Sequence, residues 1–134
     1  MVTVEQLIAQ CDALRGKQVR VAGYIPGCRG YDCALYVDKA AMEKAVGEFR
    51  SEMQRRRNGE LVNPTEIALP ATIGIGRTEA FDRKAANFRN SYVVISGRVD
   101  DHSCTGAGGT DRAYGVEPTD IRVWTPAEGA PANT

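Results

Sequence analysis

The sequence predicts an α+β domain of mainly β type, built on a small five-stranded barrel with three helices. Two segments support this prediction: residues 19–25 (V-x-V-x-G-x-I) and 93–99 (V-x-I-x-G-x-V) follow the same strand pattern, each with a central glycine. Apolar residues at every second position indicate a half-buried strand, and an interior glycine indicates a bulge, a bend or a close backbone approach. Strands that bend are typical of small barrels.

The first half of the chain predicts a helix followed by a β-hairpin. Thr3-x-x-Gln6 is a capping box, and apolar residues then recur at helical spacing until Gly16, which predicts a helix over about 4–15. The first glycine-centred strand is predicted over 17–26 and a second, short strand over 33–37. Because a six-residue turn bracketed by cysteines separates them, we expect a hairpin.

The second half predicts two further helices and three strands. Asp38 is placed to cap a helix over 39–57, whose apolar face carries Met42, Ala45, Val46, Phe49 and Met53. A helix over 79–89, capped by Thr78, follows a strand over 71–76. The last two strands are predicted over 91–100 and 119–124, with a glycine-rich loop between them. We expect the tail, residues 125–134, to be flexible because it contains few groups to bury.

The strand pattern resembles the OB-fold, a five-stranded partly open barrel. The phrases Gly16-Lys-Gln-Val-Arg-Val-Ala-Gly-Tyr-Ile and Ser91-Tyr-Val-Val-Ile-Ser-Gly-Arg-Val are similar to strands one and four of such domains. The resemblance covers about residues 14–124 and implies one OB-like domain over 1–124. An open antiparallel sheet covered by helices is the alternative. More narrowly, G-K-x-V-R-V-x-G-Y, a cysteine pair and a short L-Y strand resemble small uncharacterised bacterial domains, often exported, which implies a compartment and no activity.

The helix over 39–57 is an addition to the usual OB-fold, whose helix lies between strands three and four. It is therefore expected to be either a lid across one barrel mouth or a surface for a partner.

The four cysteines leave three alternatives open. Cys28 and Cys33 bracket four residues, a spacing that favours a local disulfide loop. Together with His102 and Cys104 they would instead offer a zinc ligand set, although the spacings are unfavourable, and free thiols are the third alternative. Cys11 lies on the apolar stripe of the first helix, where it is expected to be a core residue or to pair with Cys104.

Composition disfavours several function classes. Lys+Arg and Asp+Glu both number 17, so net charge does not direct the chain to nucleic acid or to an anionic membrane. No apolar run approaches the roughly 20 residues of a membrane-spanning helix. The start of the chain lacks the pattern of a secretory signal, so we expect either a cytoplasmic protein or an exported one whose signal has been removed.

The sequence offers no convincing catalytic or cofactor-binding motif. His102 stands beside acidic residues in a glycine-rich loop, where a solvated role is the simpler interpretation. The segment 106–109 (G-A-G-G) lacks the pattern of a phosphate-binding loop, and no dinucleotide fingerprint is present. We therefore predict no enzymatic activity and no cofactor.

A noncatalytic binding domain for a protein or a small ligand is the leading hypothesis. Single-stranded nucleic-acid binding is the alternative, since OB-folds use basic grooves and exposed aromatic side chains for it. The candidate binding residues are Tyr24, Tyr36, Arg20, Arg77, Arg98 and Trp124. The run Arg55-Arg56-Arg57 is the sharpest local basic patch and would suit an acidic partner.

Overall fold

The computed structural model describes residues 1–29, 32–60, 72–76, 78–100 and 115–125. The strands are β1 (Val2–Thr3), β2 (Gln18–Ile25), β3 (Cys28–Arg29), β4 (Asp32–Tyr36), β5 (Thr72–Ile75), β6 (Ser91–Val99) and β7 (Gly115–Val123). The helices are α1 (Val4–Ala9), α2 (Cys11–Leu14), α3 (Lys39–Arg57) and α4 (Glu79–Ala85), and a 3₁₀ turn (Ala86–Phe88) follows α4.

Five of the strands close into a barrel. Going round it, β2 pairs with β6, β6 with β7, β7 with β5, β5 with β4, and β4 returns to β2. The β5–β7 pairing is parallel and the other four are antiparallel. The β2–β4 pairing that closes the barrel is short and has one residue pair in register, Tyr24 opposite Tyr36. The mixed α+β barrel is confirmed, and it is compatible with an OB-like fold.

The core fills the barrel with the inward residues of every strand. The glycine-centred strands contribute Val21, Ile25, Val93 and Ile95, each fully shielded from solvent. Helices α1 and α4 add Leu7 and Phe81 to the same cluster. The alternating apolar residues of β2 and β6 therefore lie on the core side of their strands, as the sequence pattern predicts.

The central glycines of β2 and β6 lie at close backbone approaches. A Cβ atom on Gly23 would lie 2.5 Å from the Tyr36 carbonyl oxygen, at the point where β4 joins β2. A Cβ atom on Gly97 would overlap the carbonyl group of Glu117, beside a register irregularity between β6 and β7. Both positions thus exclude side chains for a packing reason.

The first helix is shorter than predicted. The capping box is present, with the Gln6 N–H donating to Thr3 Oγ1 at 3.1 Å and the Thr3 N–H donating to Gln6 Oε1 at 2.9 Å. However, Gln10 leaves the helical region with φ −107° and ψ 16°, which divides the predicted helix into α1 and α2. The residues before α1 form β1, an unpredicted strand parallel to β2.

Other boundaries differ in instructive ways. Helix α3 has the predicted bounds, whereas α4 is α-helical only to Ala85 before its 3₁₀ turn. Strand β7 begins at Gly115 instead of 119, because its first residues pair with both β5 and β6. The predicted tail lies outside the described residues after 125. The loop was predicted over 101–115; its residues 101–114 lie outside the described ranges, and Gly115 belongs to β7.

The turn between β2 and β4 contains the predicted cysteine pair. Cys28 and Cys33 form a disulfide with their Cα atoms 4.3 Å apart, opposite each other in the β3–β4 register. Their sulfurs are consequently engaged with each other and not held for zinc. Cys11 is buried in the core and also disulfide-bonded. Its predicted partner, Cys104, and the zinc candidate His102 lie outside the described residues.

Candidate functional site

Helix α3 is fixed to the barrel at its N-terminus. The Asp38 carboxylate caps the helix by accepting a hydrogen bond from the Ala41 N–H at 2.7 Å, and this side chain is almost fully buried. The Lys39 N–H donates to the hydroxyl of Tyr92 on β6 at 3.1 Å. Two N-terminal backbone donors are thus satisfied, one of them by a barrel side chain.

The rest of α3 is partly covered along one side, where Met42, Ala45, Glu48 and Glu52 are half-buried. None of its 19 residues is buried. At 1.5 Å per residue the helix is about 28 Å long. Such a helix normally buries an apolar face, which usually supplies most of its stability. In this helix, by contrast, no residue is fully buried.

An apolar stripe runs along this helix, defined by Met42, Val46, Phe49 and Met53. Phe49 is 62% exposed, Met53 38% and Val46 37%. The spacing of four, three and four residues is that of a coiled-coil seam, narrower than the face of a helix packed on a core. We name these four residues the α3 stripe. The sequence showed the apolar face, whereas its exposure became visible only in the structure.

Charges flank the α3 stripe. The helix contains six Lys or Arg residues and three Glu residues. Arg56 pairs with Glu52 at 2.6 Å, and Arg55 with Glu60 at 2.7 Å. The predicted basic patch at the end of α3 is therefore partly neutralised within the chain. Among the described residues, Arg50 is exposed and no carboxylate pairs with it.

Three of the aromatic side chains form a connected group on the outside of the barrel. The rings of Tyr24 and Tyr92 meet edge to face with centroids 5.1 Å apart, and Tyr92 meets Trp124 in the same way at 6.4 Å. Tyr92 was missed by the sequence analysis, although it links this group to α3. The indole N–H of half-buried Trp124 is shielded from solvent and has no hydrogen-bond partner in the described part of the chain. Tyr92 is thus held between two aromatic rings while its hydroxyl accepts from the first residue of α3.

The candidate tyrosines are not open for base stacking. Tyr24 is 4% and Tyr36 7% exposed. Ala34 and Thr72, on the outward side of β4 and β5, are buried as well. These are barrel strands two and three, whose outer face binds oligonucleotides in OB-folds. In this structure that face is covered.

The basic candidates lie at the other end of the same outer surface. Arg98 is opposite Gln18 in the β2–β6 register, six residues from the Tyr24–Tyr92 pair, or about 20 Å along the strand. Arg98 is ion-paired with Glu117 at 2.6 Å. Arg20 is exposed beside an open cleft of about 490 Å³. The arginines and the aromatic residues therefore do not converge, and Arg77 lies outside the described residues.

One carboxylate of the barrel has a perturbed pKa. The hydrogen bond from Lys84 Nζ, then the one from the Ile121 N–H at 2.9 Å, hold the pKa of Asp120 below its ordinary value. Since folding lowers this pKa, the contact stabilises the fold above the ordinary value and loses its effect as pH falls through the lowered one. The pair joins α4 to β7 at the surface, which is a structural role.

Within the described ranges, no three His, Cys, Asp or Glu side chains group together as metal ligands. No helix in the same ranges has both the length and the apolar character needed to cross a membrane. Comparison of the chain with protein-family models, with curated proteins and with solved structures gives no match.

Proposed function

We propose that this protein is a noncatalytic interaction domain that recognises a protein through the α3 stripe. The observation that carries the proposal is the exposure of this stripe on a helix without a buried residue, with Phe49 62% exposed. Scattered apolar residues are ordinary on surfaces, but a continuous seam-like row is typical of a helix that pairs with another helix.

The barrel serves as the scaffold in this proposal. Its core is independent of the stripe, because the buried cluster includes no residue of α3. The Asp38 cap and the Tyr92 hydroxyl orient the helix at its base. A surface presented on a fixed helix loses less conformational freedom on binding than one presented on a loop.

The two other binding hypotheses have less support. Nucleic-acid binding would need the covered face of β4 and β5 or the separated arginines. The cleft at Arg20 is open and has Met1, Val2, Gln18, Val19 and Ser96 as its other lining residues. Ligand sites usually enclose most of a ligand's surface, which suits this cleft poorly for a small molecule.

We further propose an oxidising compartment, periplasmic or extracellular, with the cytoplasm as the alternative. The Cys28–Cys33 disulfide supports it, because cytosolic thiols are normally kept reduced. Alkylation of the native, unreduced protein should label none of its four cysteines. Labelling of all four would contradict both the disulfides and the compartment.

The interaction is tested by Phe49→Asp, with Ser51→Asp as the matched control. Both introduce one carboxylate into exposed positions of α3, about 200° apart around the helix. A protein crosslinked to α3 in cells would be purified and titrated with each variant. We expect Phe49→Asp to weaken its binding at least tenfold and Ser51→Asp to leave it within about twofold. Equal binding by both variants would contradict the proposal.

A single-stranded oligonucleotide, titrated at low salt, distinguishes the alternative function. Phosphate contacts are strongest at low salt. Nucleic-acid binding would therefore be salt-sensitive and would be weakened by Arg20→Ala and Arg98→Ala. We expect no such binding.

A further inference from the structure

We propose that the partner of the α3 stripe is a second copy of this chain, with the two α3 helices paired antiparallel. This inference rests on the proposed function, because it uses the same surface. The register of the stripe and the charges beside it favour this partner.

The stripe is symmetric under antiparallel pairing. If Val46 packs against the partner's Phe49, then Met42 packs against the partner's Met53 in the same register. The same contacts repeat with the copies exchanged, as a two-fold interface requires. The midpoint of the stripe falls between residues 47 and 48, close to the middle of Lys39–Arg57. Both helices would therefore overlap along nearly their whole length.

The charges flanking the seam are complementary in this register. Met42 and Phe49 occupy d-type positions, so Glu43 and Arg50 occupy e-type positions, which face each other across an antiparallel pair. Each Glu43 then meets the partner's Arg50, twice per dimer. Both side chains are exposed, and among the described residues the ion-pair contact of Glu43 is a long one, 4.0 Å from Lys39. Arg50, which has no carboxylate partner among the described residues, would gain one.

The other flank carries no charge conflict, because Ala45 lies opposite the partner's Glu52. At each end of the seam Lys39 faces the partner's Arg56, which is a like-charge contact. Each of these two residues has an acidic neighbour in its own helix that offsets the repulsion: Glu43 at 4.0 Å from Lys39 and Glu52 at 2.6 Å from Arg56.

The parallel alternative is opposed by the same charges. It would place the Arg55–Arg57 runs of both copies side by side, and adjacent like charges are unfavourable. It would also bring together the two barrels, because each α3 starts at its own barrel. In the antiparallel pair the two basic C-terminal ends are far apart, and so are the two barrels.

The interface is small, so we expect a weak, reversible dimer. Four apolar side chains per copy, among them Val46, Phe49 and Met53 at 37–62% exposure, present less surface than the roughly 800 Å² per partner of a standard stable interface. Sedimentation equilibrium over protein concentrations up to about 1 mM is the suitable measurement. The weight-average mass should rise from the 14.5 kDa of one chain toward twice that value.

Charge reversal tests the register directly. Glu43→Arg alone would set two positive charges against each other across the seam, and Arg50→Glu alone two negative charges. Each variant should dimerise at least tenfold more weakly than the natural sequence. Mixed in equal amounts, the two variants should restore dimerisation to within about threefold, because every facing pair is then of opposite charge. In a parallel pair these positions do not face each other, and mixing would restore nothing.

The controls separate folding from association. Circular dichroism of each variant should match the natural sequence, since both positions are exposed. Phe49→Asp should abolish the dimer, and Ser51→Asp should preserve it. A chain that remains monomeric up to about 1 mM, single variants that dimerise normally, or a mixture that remains monomeric would each overturn the inference.

The dimerisation measurements and the partner titration distinguish failure of self-pairing from failure of the proposed function. A monomeric natural chain whose Phe49→Asp variant loses another purified protein overturns self-pairing and leaves the proposed function standing. A dimer insensitive to Phe49→Asp, with no other protein bound through the helix, contradicts both.

Discussion

The barrel and α3 use apolar residues in opposite ways. In the barrel, Val21, Ile95 and their neighbours alternate along strands and are removed from solvent. In α3, apolar residues at helical spacing remain open to it, with Phe49 the most exposed at 62%. Both segments show clear periodicity in the sequence. Periodicity therefore identifies the apolar side of an element, whereas burial depends on what packs against that side.

A barrel variant and an α3 variant should differ most in folding stability. Ile95→Ala removes methyl and methylene groups from a fully buried position and should cost about 2–5 kcal/mol. Phe49→Ala removes a larger side chain from an exposed position and should change stability by less than about 0.5 kcal/mol. Urea unfolding followed by far-UV circular dichroism measures both.

Similar losses of stability in Ile95→Ala and Phe49→Ala would contradict the distinction between a buried barrel core and an exposed α3 stripe. A large loss for Phe49→Ala would show that α3 packs on the barrel in solution. It would also remove the basis for treating the stripe as a contact surface. Measurement over a range of protein concentrations serves as a control, because stability gained through dimerisation depends on concentration.

Much of the barrel could be predicted because its signals are local. The patterns of 19–25 and 93–99 specify two strands, and the capping signals at Thr3, Asp38 and Thr78 are each confirmed by a side-chain hydrogen bond from the predicted helix. The early start of β7 depends on tertiary pairing, which no local pattern records. The short strand β1 is likewise defined by its neighbour β2.

The candidate site was predicted less well, for a physical reason. Tyr24 and Tyr36 have amphipathic side chains suited to either an exposed or a buried position, and only the three-dimensional packing decides between them. Tyr92 was not selected because its link to Lys39 spans 53 positions in sequence. The α3 stripe was visible as a face, but its exposure depends on the absence of a packing neighbour.

Glycine substitutions provide the smaller test, with opposite signs in the two regions. In the barrel, Gly97→Ala would drive a Cβ atom into the Glu117 carbonyl group and against Val116. Backbone atoms of a paired strand cannot move aside cheaply, so a loss of about 1–3 kcal/mol is expected from urea unfolding. Unchanged stability would show that the β6–β7 contact is looser in solution than in this structure.

Gly47→Ala is the matched change in α3. No atom lies within 4 Å of the position that its Cβ would occupy, so the methyl group enters open space. Alanine also restricts the unfolded chain and favours the helix, which should raise helix stability by about 0.5–1 kcal/mol. The expected readout is a higher midpoint for the loss of helical circular dichroism. A destabilised variant would mean that a neighbour packs closely at Gly47, and the separation between a packed barrel and a projecting helix would then fail.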